Sequence, residues 1–250
     1  MYQDKGKTIE TWNPLAGECR YQCYTVDDKC NCYVSVMKNK KNTDGDYVFP
    51  FMKAKYSGEY RLVEKEFKRK FKPDTTVFVC DCSDLFHPDV HPRFIRKILK
   101  YCENFPDTTF LFQTKNPYRF EEGIHLFPKK SIFGTTVQSN RNDLTPLAPY
   151  PFVRCLGLEF LKKDNPKLIT FITIEPILEF DLKPLVEMIK HANPNWIWIG
   201  ANSKGGNLPE PDEAQTKELL SELKQLNIKI KVKENLYRII NKSEIDKILK

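Results

Sequence analysis

Short apolar, β-branched runs alternate with longer amphipathic stretches along most of this chain. The runs are 75–80 (TTVFVC), 108–114 (TTFLFQT), 131–137 (SIFGTTV), 168–175 (LITFITIE), 196–200 (WIWIG) and 229–233 (KIKVK). Runs of this length, bounded by turn-forming residues, are the pattern of strands buried on both faces of a parallel sheet. Between them, Pro92 opens a segment with Phe94, Ile95, Ile98, Leu99 and Cys102 on one helical face. A second amphipathic segment, 212–226, carries Leu219, Leu220, Leu223 and Leu226 on its inner side. Helices are also predicted over 118–126, 151–162 and 182–191, and Ser243 is placed to cap a last one over 244–250, within a C-terminal segment 242–250.

The N-terminal part is less regular. Residues 6–13 form a seventh candidate strand that leads into a turn at 14–17. Val63, Phe67 and Phe71 recur at helical spacing within 59–72, and 38–47 (KNKKNTDGDY) has no apolar periodicity and reads as a mobile loop. Strict alternation of strand and helix implies parallel pairing through right-handed crossovers. The expected fold is therefore α/β, a partial (β/α)6–7 TIM-type barrel, closed or partly open, with an open doubly wound sheet as second choice. No linker or short repeat divides the chain, so 1–250 reads as one domain.

In either architecture the functional residues lie where strands end. Those ends supply Asp81, Cys82, Ser83 and Asp84, then Gln113, Thr114 and Lys115, then Thr135, Thr136, Gln138 and Asn140. Later ends supply Glu175, then Asn202, Ser203 and Lys204, and last Lys233, Glu234 and Asn235. Glu175 terminates a mostly apolar run and is expected near the barrel axis, where a carboxylate needs a partner or a ligand. Gly134, Gly200, Gly205 and Gly206 permit close approach of a ligand. Neither GxGxxG nor GxxxxGK[ST] occurs, which removes the dinucleotide and Walker-loop readings. His87 and His91 stand among prolines and read as turn or cap residues.

Charge changes this picture little. The 250 residues carry a net +7, from 40 basic and 33 acidic side chains, much of it in runs at 38–41, 65–72 and 229–233. Such runs are able to contact phosphates, but solvated helix faces and loops are the simpler reading. The hydrophobic fraction of 40% fits a soluble globular protein. No apolar run is long enough to span a bilayer and residues 1–10 are polar, so no membrane association and a cytoplasmic location are expected.

The cysteines change it most. Four of eight fall within a single loop, at Cys19, Cys23, Cys30 and Cys32, and in a reducing compartment such a cluster points to metal or redox chemistry. Several thiolates on one loop suit zinc or an iron-sulfur cluster. Three ligands would leave a metal position open for catalysis, whereas four would close a structural zinc site. Cys80, Cys102 and Cys155 read as core residues, and Cys82 is close enough in sequence to Asp81 to meet the site.

The segments TWNPLAGEC (11–19), CNCYV (30–34), YSGEYRLVEKEFKRKF (56–71), VFVCDCSDLFHPDV (77–90), FLFQTKNP (110–117), FGTTVQSN (133–140), ITIEPIL (172–178), WIWIGANSKG (196–205) and VKENLYR (232–238) follow one another across nearly the full length. In that order they resemble the phage Gp37/Gp68-like family (DUF5131), a radical-SAM-like group. The resemblance implies a partial barrel with a [4Fe-4S] cluster on the cysteine loop, 11–36. The unique iron would bind the amino and carboxylate groups of S-adenosylmethionine, and reduction would yield a 5′-deoxyadenosyl radical that abstracts hydrogen from a substrate. The superfamily loop is CxxxCxxC followed by an aromatic. Cys19 and Cys23 supply its first half, Val26 stands at the third ligand position, and Cys32-Tyr33 restores the pair after an insertion. The implied metal ligands are Cys19, Cys23 and Cys32, with Cys30 as substitute; all four on zinc is the alternative.

By the same resemblance, Asp81, Ser83 and Asp84 approach the methionine amine or ribose, Thr114, Thr136, Gln138 and Glu175 lie deeper, and Asn202 and Ser203 face adenosine or substrate. Glu175, Asp81 and Lys115 are the candidate catalytic groups. The substrate is not readable; nucleic acid is one candidate, and a three-cysteine-motif protein is a candidate partner. The competing function is a zinc-stabilised barrel that binds nucleic acid or protein without radical chemistry.

Overall fold

The computed structural model describes residues 3–4, 7–21, 23, 30, 32–142, 147–203 and 208–250. Seven strands form one sheet: β1 (Glu10–Trp12), β2 (Thr76–Val79), β3 (Thr109–Thr114), β4 (Ser131–Thr136), β5 (Ile169–Ile174), β6 (Trp196–Ile199) and β7 (Lys229–Val232). They pair in chain order and every pairing is parallel. The order never reverses, which removes the doubly wound alternative. Among the described residues no ladder joins β7 to β1, so the sheet is a curved, open partial barrel.

Strand alternation sorts the side chains onto two faces. Val77 and Val79, Phe110 and Phe112, Phe133, Ile172 and Ile174, and Ile197 and Ile199 turn outward into the main core. There they meet α3 (Pro92–Cys102), α4 (Tyr118–Glu121), α5 (Pro151–Asp164), α6 (Leu182–Ala192) and α7 (Glu213–Gln225). The opposite face carries Phe78, Leu111, Phe171 and Trp198, joined by Ile9 and flanked by Ile132 and Trp196. Phe171 pairs in register with Gly134, and its ring fills the space a Cβ there would occupy. Lys231 completes this face by lying over Trp196 and Trp198, 4.4 and 5.1 Å from the ring centroids.

The segment 59–72 is not the helix its apolar spacing predicts. Arg61–Leu62 is a short strand paired antiparallel with Leu15–Ala16, followed by a 3-10 turn at Glu64–Lys68. The Val63 amide donates to the Pro14 carbonyl at 2.8 Å, holding the chain extended where a helix would need it coiled. Phe67 and Phe71 spend their spacing on Trp12, whose ring they meet edge-on at 5.8 and 5.4 Å. The turn expected at 14–17 is likewise this ladder, ended by Gly17 at φ 107°, where a Cβ would lie 2.6 Å from the Glu59 carbonyl oxygen.

Two short helices, α1 (Tyr33–Asn39) and α2 (Pro50–Lys55), stand where no periodicity announces them. The supposed loop 38–47 contains the end of α1 and a turn closed by a bridge between Lys41 and Tyr47. The C-terminal helix α8 (Lys242–Leu249) has Asn241 at its N-cap, two residues before the cap expected at Ser243. No helix among the described residues is long and apolar enough to cross a membrane.

Candidate functional site

At the C-terminal strand ends a cavity of about 770 Å³ is walled by Cys19, Cys23 and Cys32 on one side. Asp81, Cys82, Ser83 and Asp84 after β2, Thr114 and Lys115 after β3, and Thr136 of β4 form the other. The turn after β2 is sharp because Cys80 takes a positive φ of 59° and the Ser83 amide closes on its carbonyl at 3.1 Å. Asn13 braces this turn from β1: its Nδ2 donates to Asp81 Oδ1 at 2.6 Å, and its Oδ1 accepts from the Cys82 amide at 3.1 Å. Tyr33 OH donates to Asp81 Oδ2 at 3.1 Å from the start of α1. Burial raises the Asp81 carboxyl above its ordinary value even against these bonds.

Asp84 is buried deeper and works as a clamp between strand ends. It accepts from Thr114 Oγ1 at 2.6 Å, the Lys115 amide at 2.8 Å and the Phe86 amide at 3.0 Å. Desolvation pushes its pKa up, with those donors opposing the shift.

Beneath the thiols lie two buried cations. Lys115 is buried and its Nζ donates to Gln138 Oε1 at 3.3 Å. Arg154, on α5, is 0% exposed. Its Nε donates to the Pro149 carbonyl at 2.6 Å, and its Nη1 to the Thr136 carbonyl at 3.0 Å and Gln138 Oε1 at 3.5 Å. Burial lowers both pKa values, that of Arg154 to about 10, with the Cys23 sulfur as the leading opposing influence on each. Conversely, a hydrogen bond from Cys32 and the charges of Lys115 and Arg154 bring the Cys23 thiol down, while the Cys32 thiol is pushed up by that same bond and by burial. The Cys23 sulfur is therefore the one of the three whose surroundings favour negative charge.

Cys30 stands apart. Its Sγ is directed to the Cys32 carbonyl at 3.6 Å, and it does not line the cavity. Residues 24–29, with Val26 at the third position of the expected loop, lie outside the described residues. Among the described residues no three His, Cys, Asp or Glu side chains are grouped tightly enough to close a metal site. Two further residues of the lining stand out. Tyr21 OH and Ser83 Oγ both belong to its lining, are buried, and have no hydrogen-bond partner among the described residues. Buried hydroxyls are normally satisfied, so these two are exceptions.

The other candidates are placed elsewhere. Gln138 lies behind the wall, joining Lys115 to Arg154. Glu175 is outside the cavity, ion-paired with Lys233 and accepting from Asn235 Nδ2 at 2.8 Å, beside Gly200. Asn202 is held through its backbone, the amide donating to Glu210 Oε1 at 2.7 Å, and Ser203 is exposed. Lys204, Gly205 and Gly206 fall outside the described residues. His91 caps α3 by accepting from the Arg93 amide at 3.2 Å, and His87 Nδ1 accepts from the Asp89 amide at 3.1 Å, both as turn and cap residues should. Cys80, Cys102 and Cys155 are buried in the core.

Sequence reasoning passed over Arg154, although a signal was present: it shares the buried stripe of α5 with Leu158 and Leu161, where a charge needs an explanation. It also passed over Lys38, a buried cavity residue paired with Glu18 at 2.5 Å.

A solved structure of a spore photoproduct lyase variant has the same fold, with a TM-score of 0.51 at 10% identity over 89% of this chain and 75% of that one. A second variant of that lyase, with bound AdoMet and dinucleoside spore photoproduct, has a TM-score of 0.49 at 10% identity over 85% of this chain. SuiB of Streptococcus suis bound to precursor peptide SuiA has a TM-score of 0.48 at 11% identity over 96% of this chain. The chain spans 60% of the length of the AdoMet-bound lyase and 55% of that SuiB chain. None of the curated proteins matches the sequence. Residues 6–210, well over half of the chain, match the family model described as a protein of unknown function, DUF5131, and the chain belongs to that family.

Proposed function

We propose that this chain is a radical S-adenosylmethionine enzyme whose [4Fe-4S] cluster is held by Cys19, Cys23 and Cys32. The observation that carries this reading is the pair of buried cations, Lys115 and Arg154, whose charges act on the Cys23 sulfur, with Cys19 and Cys32 lining the same cavity. Buried cations beside the thiols favour negative charge at that position. Thiolate ligands on an iron-sulfur cluster supply it. Three thiols facing one cavity, with Cys30 turned away, suit a cluster with one open iron better than four-coordinate zinc.

When bound, the cluster and S-adenosylmethionine would supply one-electron cleavage of a carbon–sulfur bond and hydrogen-atom abstraction from substrate. The chain's own residues orient and insulate. Tyr21 and Ser83 offer their unpartnered hydroxyls to the cofactor. Asp81, fixed by Asn13 and Tyr33, is assigned to the methionine amine, and Lys115 to the carboxylate. Thr114 and Asp84 hold the β2 and β3 ends at a fixed spacing, so these groups keep their geometry. Phe78, Leu111 and Phe171 keep water from entering along the barrel axis. Glu175, Asn202 and Ser203, outside the cavity, are assigned to the substrate side.

Anaerobic reconstitution followed by metal and sulfide analysis tests the proposal. About four irons and four sulfides per chain are expected; one zinc per chain, with no iron taken up, would replace it with the zinc-stabilised binding module.

A further inference from the structure

A second cavity, of about 680 Å³, opens at the other end of the sheet, where the strands begin. The inner apolar layer lies between the two: Phe78 lines the thiol cavity, while Ile9 and Ile132 of the same layer line this one. The floor is aliphatic, made by Ile9, Ile132 and Ile169, and Ile169 is left 43% exposed although it starts a central strand.

The rim is basic. Lys72, Lys129, Lys130 and Lys167 line it, each a few residues ahead of β2, β4 or β5. Neighbouring strands lie about 4.8 Å apart, so the parallel ladder sets these lysines along one edge. Lys130 is ion-paired with Asp107 at 3.3 Å, whereas Lys72, Lys129 and Lys167 have no ion pair among the described residues. Asp74 is the one carboxylate among the lining residues. An arc of ammonium groups with so little counter-charge favours a multiply charged anion. Lysine is a point-charge phosphate binder. The exposed Ile169 and half-buried Ile132 add a preference that inorganic phosphate cannot satisfy.

We propose that this cavity binds an organic phosphate, its phosphate among Lys72, Lys129 and Lys167 and its apolar body on Ile9, Ile132 and Ile169. Two sources share that chemistry, a nucleotide and an alkyl phosphate. The site is independent of the thiol cavity and of any cluster.

Titration calorimetry on the full chain with octyl phosphate, adenosine monophosphate and inorganic phosphate tests it. At least one organic phosphate should bind about tenfold or more tightly than inorganic phosphate, and the better of the two names the source. The Lys72→Ala, Lys129→Ala, Lys167→Ala triple variant changes only exposed side chains, and its circular dichroism should match the parent. It should lose about tenfold or more of the affinity, and Ile169→Ser should abolish the preference for the organic ligand. Equal affinity for all three ligands, no binding of either organic phosphate, or affinity unchanged in the triple variant would overturn the proposal.

Discussion

Lys115 and Arg154 share one acceptor: both reach Gln138 Oε1, at 3.3 and 3.5 Å, from different elements, and both are buried. Both cations act on the Cys23 sulfur, and positive charge there favours negative charge at the thiols and, with it, an added electron on a bound cluster. Replacing Arg154 with Gln, or Lys115 with Met, should make the reconstituted cluster harder to reduce. Each loss of about 1.4 kcal/mol in stabilisation of the reduced form lowers a one-electron potential by roughly 60 mV. Redox titration followed by EPR reads the shift, with the exposed Lys190→Met as control. An unchanged potential in both variants would separate these cations from the cluster.

The thiols divide three to one. Serine at Cys19, Cys23 or Cys32 should abolish stoichiometric iron binding, whereas Cys30→Ser should retain it, because Cys30 is turned to a backbone carbonyl. Iron per chain after anaerobic reconstitution distinguishes the four variants. Retention in Cys32→Ser with loss in Cys30→Ser would exchange the two assignments.

Gly134 is required for packing. Its strand position lies under the Phe171 ring, and a methyl group would enter that ring. Gly134→Ala should cost about 1–3 kcal/mol, the usual penalty of overpacking, seen as a lower urea midpoint. Phe171→Leu in the same chain should recover part of that loss. A midpoint unchanged by Gly134→Ala would mean that the ring moves freely.

His87 should make the fold sensitive to mild acid. It is buried, its Nδ1 accepts the Asp89 amide, and desolvation holds its pKa below the ordinary 6.5. Its charged form is therefore disfavoured only in the folded chain. The stability it contributes is complete above pH 6.5 and is lost as pH falls through 6.5 toward the lower folded value. Unfolding free energies between pH 7.5 and 5.5 should fall less steeply in His87→Gln than in the parent. Parallel slopes would show that other groups set the acid limit.

The central sheet was legible because its strands are apolar on both faces and end in polar residues. Six predicted runs match β2 to β7, overshooting mainly at the first and last residues. The cavity wall from Asp81 to Thr136 follows from that register, since polar residues after β2 and β3 converge where the strands stop. The irregular N-terminal third was harder to read. Phe67 and Phe71 have helical spacing, yet a tertiary contact with Trp12 uses it in an extended segment, and no local rule distinguishes the two. α1 is seven residues long, too short for its period to emerge. Glu175 is expected to need a partner or a ligand near the barrel axis; it is paired with Lys233, 58 residues away, and does not line the cavity. Arg154 became significant only once β4 and the cysteine loop were brought to α5.

The most direct measurement is the EPR spectrum of the anaerobically reconstituted and reduced protein, with and without S-adenosylmethionine. A [4Fe-4S] signal that changes when the cofactor is added is expected, and Cys30→Ser should show the same change. A cluster signal indifferent to S-adenosylmethionine, or no cluster signal from correctly folded protein, would contradict that expectation.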